Sequence, residues 1–385
     1  MTTHEEASAP TLSTRNAEIY GTIPLPIGNS STIRLLEILN DDTNDDDEPI
    51  SCSLRLASLD EEFVALSYMW GPEAATKSIK LNGESFLVRR NLWDFLRQRR
   101  MDQSRGTESR CLWIDALCID QTSNLERNHQ VGIMGRIYSR ASKVLIWLGP
   151  ARDDYSRAMM ILADLILDPE THTVYSPSDL AAFEMTGNPA FAALLQDPYW
   201  SRAWIVQECV LAAELELQCG PTCIPAPIVD KIFAVRARQF PSRLIVPVQL
   251  VDEHPKSATG RIFEARGFMN TESRYRYIVP WGIGIEYWPR TNCADPRDRV
   301  YAMTALMDPA LKISPDYNKS AETLFVEIVD KHIIGDALYE SKIIKLARLL
   351  DLEHDGPDHA SWSWLVWQKL LEAEREEQAS RRISK

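Results

Sequence analysis

Cys111-Leu112-Trp113-Ile114-Asp115-Ala116-Leu117-Cys118-Ile119 is nearly unbroken apolar sequence, as a strand buried on both faces requires. Ser123 and Glu126 then form a Ser-x-x-Glu capping pattern. Val131, Met134, Ile137 and Tyr138 recur at helical spacing, and Val144-Leu145-Ile146-Trp147-Leu148-Gly149 makes a second buried run. Strand, amphipathic helix, strand is a βαβ unit with parallel strands and a right-handed crossover. Ligands of such sheets bind beyond the carboxyl ends of strands, where this chain carries Tyr68, Trp70, Asp115 and Asp120.

Upstream, Phe63 to Trp70 is a β-type apolar run stopped by Gly71-Pro72. Ile79 to Val88 reads as a hairpin, because Asn82-Gly83 supplies the positive φ angles of a tight turn. Asn91 is placed to cap a helix whose Leu92, Phe95 and Leu96 share one face. Downstream, residues 154–168 read as helix, 169–190 as loop and 199–211 as a further helix. Leu215 to Cys219 alternates like a strand closed by Gly220-Pro221. Beyond 225 the pattern is mainly helical, clearest at Ala321 to Ile334 and Ser341 to Leu350. The first 50 residues are rich in Thr, Ser, Pro and Asp, with one apolar run at Ile33 to Leu39. The chain therefore divides into a polar, acidic extension (1–55), an α/β domain (56–220) and a mainly helical C-terminal region (221–385).

Of 385 residues, 45% are hydrophobic and 25% charged, which is globular composition with ample length for a core. A formal net charge of −13 speaks against nucleic acid or an anionic membrane as partner. The six acids between Asp41 and Glu48 read as a solvated loop. No apolar stretch is long enough for a membrane span, and Met1 to Asn16 lacks a signal-peptide core. Seven scattered cysteines read as reduced, buried thiols of a cytoplasmic protein. Cys219 and Cys223, and His354 and His359, lack partners at ligand spacing, so no metal site is expected.

Phosphate-loop, dinucleotide, zinc-protease and nucleophile-elbow signatures are absent. Acids and tryptophans at strand ends remain. Glu208 lies four residues after Trp204, on the same helical face, so an indole would shield one side of its carboxylate. Such a carboxylate can act as acid, base or charge stabiliser, or can pair structurally with Arg202 or Arg136. Asp115, inside an apolar run, needs hydrogen-bond partners and either caps a neighbouring element or faces a substrate. Trp113, Trp147, Trp200 and Trp204 read as core or pocket wall.

Ala65-Leu66-Ser67-Tyr68-Met69-Trp70-Gly71, Asn91-Leu92-Trp93 and Leu112 to Gln121 closely resemble the fungal heterokaryon incompatibility (HET) domain. Tyr199-Trp200-Ser201-Arg202-Ala203-Trp204 with Gln207-Glu208, and later Asp295-Pro296-Arg297-Asp298-Arg299-Val300-Tyr301, continue the match. Asp120 stands where that family usually has Asn. The resemblance implies a role in fungal non-self recognition that ends in programmed cell death, through self-association or another incompatibility protein. Some such proteins are instead encoded beside secondary-metabolism genes, which implies an auxiliary or enzymatic role in a biosynthetic pathway. It further implies a flavodoxin- or TIR-like fold, a mostly parallel sheet flanked by helices. In NAD-cleaving TIR domains the equivalent glutamate is catalytic. By that similarity Glu208 is the catalytic residue of an NAD glycohydrolase. Ser67, Tyr68, Trp70, Gly71, Asp115 and Trp204 form its substrate-binding set, with NAD as substrate and no resident cofactor. The stretch from Pro150 to Pro198 and the Asn-Gly hairpin are insertions relative to a TIR domain. A self-assembling module without catalysis is the alternative.

Overall fold

The computed structural model describes residues 18–39, 49–71, 76–103, 110–164, 196–224, 291–307, 312–333 and 339–352, with isolated positions between 193 and 375. The acidic run 41–48, the 169–190 loop and the His354/His359 pair lie outside the described residues.

Among the described residues, nine strands form one mixed sheet: β1 Thr32–Ile38, β2 Ser51–Ser58, β3 Val64–Tyr68, β4 Thr76–Leu81, β5 Glu84–Arg89, β6 Cys111–Trp113, β7 Lys143–Trp147, β8 Leu215–Cys219 and β9 Thr222–Ile224. The order is β5-β4-β2-β1-β6-β3-β7-β8-β9. Its centre, β6-β3-β7-β8, is parallel throughout, and β3 and β7 are paired from Val64↔Lys143 to Tyr68↔Trp147. The α/β class stands, with antiparallel pairs at β1-β2, β1-β6, β4-β5 and β8-β9. The β6 and β7 strands are parallel as expected, but β3 lies between them.

Among the described residues the helices are α1 Arg90–Gln103, α2 Asp115–Cys118, α3 Asn124–Arg140, α4 Asp153–Asp164, α5 Ile205–Val210, α6 Asp298–Tyr301, α7 Ala321–Ile328 and α8 Tyr339–Leu349. A 3-10 turn, Pro198–Ser201, precedes α5, and a π-helical turn, Val329–Ile333, follows α7. The expected hairpin is β4-β5, with Asn82 at φ 52° and Gly83 at φ 87° in its turn.

Four elements differ from the sequence expectation. Residues 32–38 and 51–55, read as part of a polar extension, belong to strands β1 and β2 inside the sheet. Their signal is masked because β1 carries a charge in its buried run: Arg34 is fully buried and paired with Glu126 of α3 at 2.5 and 3.1 Å. The apolar stretch 111–119 is a three-residue strand followed by a helical turn. The Ile114 carbonyl there accepts the N–H groups of both Leu117 and Cys118. Continuous apolar sequence does not separate buried strand from buried helix. Asn91 lies inside the first turn of α1 and spends its side chain on tertiary bonds. Residues 199–211 are a 3-10 turn and a short helix with a break at Arg202 to Trp204.

The Ser123 cap on α3 forms, its hydroxyl accepting from the Glu126 N–H at 3.3 Å. The reciprocal half is replaced: the Glu126 carboxylate takes the Asp120 N–H at 2.6 Å and the Arg34 guanidinium. All seven cysteines are free. Burial pushes the thiols of Cys52, Cys118 and Cys209 up to about 12, so they stay protonated packing groups at neutral pH. Among the described residues, no helix is long and apolar enough to cross a membrane and no side-chain group could hold a metal ion.

Candidate functional site

The parallel centre of the sheet aims β3 and β6 at one edge. There the chain leaves β3 through Gly71, whose φ of 77° is open to glycine and strained for other residues. Asn91 fixes the exit by donating to the Met69 carbonyl at 2.6 Å and accepting the Trp147 indole N–H at 3.0 Å. Trp70 therefore projects beyond β3 in a defined place. Its indole N–H donates to Asp115 Oδ2 at 2.9 Å, and Arg89 lies over its ring at 5.0 Å from the centroid. Asp115 opens α2, and its Oδ1 accepts the Ala116 N–H at 2.7 Å. Burial, reinforced by the Glu208 charge and opposed by Arg202, raises the Asp115 carboxyl from 3.8 to about 6. An acid poised there can exchange a proton near neutral pH.

Glu208 enters from α5 and is 1% exposed. Its carboxylate accepts the Ser67 hydroxyl of β3 and the Arg202 guanidinium, the latter at 3.3 Å. Ser67 also meets the Tyr199 hydroxyl at 2.5 Å, and Tyr199 carries the Arg202 guanidinium over its ring at 5.8 Å. The Tyr138 hydroxyl donates to the Leu66 carbonyl at 3.1 Å. Burial opposes the charge on Arg202, but the Glu208 carboxylate, with Tyr199 and Asp115, more than offsets it and keeps the guanidinium protonated. Burial also lifts the Tyr68, Tyr138 and Tyr199 phenols well above their usual range, so they serve as neutral hydrogen-bonding groups.

Beside this cluster is a cavity of about 180 Å³ whose walls include Tyr20, Tyr68, Trp70, Phe86, Asp120 and Gln121. Tyr68 and Trp70 face it, whereas Ser67, Gly71, Asp115, Trp204 and Glu208 are not in its lining. Asp115 is joined to its wall through Trp70. Trp204, expected over Glu208, lies near enough to Asp298 to act on its carboxyl. Of the two arginines offered to Glu208 by the sequence, Arg202 takes it and Arg136 bonds Ser30 at 2.6 Å.

Sequence reasoning missed Tyr199 as a member of the cluster and Phe86 and Gln121 as cavity wall. A tyrosine in an aromatic run carries no signal beyond core packing. The hairpin that supplies Phe86 reads as an insertion, and although it lies at the far edge of the sheet from β3, its residues reach the cavity beside Trp70.

Residues 63–208 match the family model described as Heterokaryon incompatibility protein (HET). The Neurospora crassa protein named Heterokaryon incompatibility protein 6, OR allele, is 26% identical over 366 residues, covering 82% of this chain and 53% of the relative. The chain thus spans about half the length of the curated relative it matches. No solved structure matches it.

Proposed function

We propose that this chain, whose residues 63–208 form a HET domain, is a signalling protein of fungal non-self recognition that promotes programmed cell death. It acts by self-association or by engaging another incompatibility protein. The observation that carries a signalling reading over a catalytic one is the state of Glu208. Its carboxylate is 1% exposed, bonded to Ser67, and balanced by Arg202. A carboxylate so engaged is a structural tie between α5 and β3, and the adjoining cavity of about 180 Å³ is smaller than the ~300–1,000 Å³ usual for cofactor-sized ligands.

A second reading, TIR-like NAD cleavage, is favoured by the Asp115 carboxyl, raised by burial and by the charge of Glu208 beside the carboxyl end of β6. Breaking the nicotinamide bond develops oxocarbenium character on the ribose, which Glu208 would stabilise once freed from Arg202. Tyr68 and Trp70 would stack a ring of the substrate. This reading requires the Trp70–Asp115 wall to part.

One experiment separates the two: wild type and Glu208→Gln are expressed in fungal cells while viability and cellular NAD are followed together. Signalling without catalysis predicts loss of viability with both proteins before any fall in NAD. An early fall of NAD with the wild type only would replace it by the catalytic reading. Full viability with well-folded wild type at high expression would refute both.

A further inference from the structure

Helix α5 carries Glu208 on six residues, too few to hold a helix in isolation. Its unpaired end groups need partners from elsewhere, and those partners come from the C-terminal region. At the N-terminal side, the break at 201–203 is bridged by Asn292. The Asn292 N–H donates to the Ser201 carbonyl at 2.6 Å, its carbonyl accepts the Ala203 N–H at 3.1 Å, and its side-chain amide reaches Ser201 Oγ at 2.9 Å. Asp298 accepts the Tyr317 hydroxyl at 2.7 Å and lies near the Trp204 indole, which helps hold its carboxyl down. At the other end, the buried Arg266 guanidinium donates to the carbonyls of Cys209 at 3.0 Å, of Ala212, and of Ala213 at 3.3 Å.

We infer that Asn292, Asp298 and Arg266 are positioning residues of the Glu208 site: the C-terminal region grips α5 at both ends and thereby sets the Arg202–Glu208 pair. All three lie beyond residue 208, outside the matched domain. The Asp295–Tyr301 motif thereby gains a physical task. Arg297 is locked to Asp295 at 2.6 and 2.9 Å and to the Tyr317 carbonyl at 3.0 Å, which holds Asp298 and its Tyr317 partner in place. Arg127 of α3 stacks over Tyr317 at 4.0 Å and ties the clamp to the domain. A partner that displaces 291–298 would release Arg202 from Glu208. The inference deepens the reading of that site and stands whether or not Glu208 acts on NAD.

Amide hydrogen exchange on the full chain tests it without any assay of activity. Asn292→Ala and Asp298→Ala are expected to speed exchange at 203–210 by at least tenfold, with 64–68 and 143–147 as protected as in the wild type. Asp298→Asn keeps an acceptor oxygen for the Tyr317 hydroxyl and is expected to restore protection. Lys312→Ala, which removes a separate contact to the Gly132 carbonyl, should leave 203–210 unchanged. If Asp298→Ala fails to fold, Tyr317→Phe removes its hydrogen bond while keeping an aromatic ring. Unchanged exchange at 203–210, or an equal rise in the central strands, would overturn the inference. Cell viability plays no part in this outcome, so failure here and failure of the signalling reading are distinguishable.

Discussion

Asp115→Asn should make the protein more stable at pH 7, and less so as the pH falls. The wild-type carboxyl, half-buried and facing Glu208, is raised from 3.8 to about 6 in the fold. A shift of about two units, at ~1.4 kcal/mol each, sets a gross cost near ~3 kcal/mol for holding the charged form. The sign follows from linkage. Below the unfolded value both states are protonated and there is no cost; the cost grows as pH rises from 3.8 toward about 6 and is constant above. Asparagine carries no charge to desolvate and keeps an oxygen for the Trp70 indole, but its amide NH2 replaces the oxygen that accepts the Ala116 N–H, and that lost hydrogen bond costs ~1 kcal/mol. The net expectation is a gain of ~1–2 kcal/mol above pH 6.5 that shrinks to a few tenths near pH 4.5. Urea unfolding of both proteins across that range measures it, and other titrating groups cancel in the difference. A variant less stable than wild type at pH 7, or a difference that does not change with pH, would refute the reasoning. A retained cost of this kind is what a strained functional acid carries.

Removing Glu208 alone, as Glu208→Ala, leaves Arg202 buried without its counter-charge and should cost ~3–5 kcal/mol. Glu208→Ala with Arg202→Met should recover part of that loss in the same unfolding assay; no recovery would mean the pair is not the dominant partner of either charge. Gly135→Ala should cost ~1–3 kcal/mol, because a Cβ there collides with Ala305 and comes within 3.1 Å of Leu211 Cδ1. A melting temperature equal to wild type would show that the α3 face and residues 304–306 give way freely.

The parallel centre was legible because its strands are buried on both faces and read as continuous apolar runs, while α3 between them keeps its helical period and its Ser123 cap. The turn of β4-β5 was legible for a local reason as well, since Asn82 and Gly83 supply positive φ. The β1 strand was hidden by Arg34, a charge whose partner Glu126 is 92 positions away. The strand-to-helix change at Ile114 was hidden because a continuous apolar run has no period to break.

The same division runs through the site. Sequence alone placed Tyr68, Trp70 and Asp115 near one end of the parallel strands, because strand polarity fixes which residues emerge at the carboxyl edge. It also offered Glu208 two arginines and an indole, each at an acceptable spacing. Only the tertiary structure chose among them. The break at 202–204, bridged by Asn292, turns Arg202 toward Glu208. Side-chain spacing along a helix presumes that the helix is unbroken. Whether it is broken depends on hydrogen bonds supplied by residues some ninety positions further along the chain, which no local pattern records.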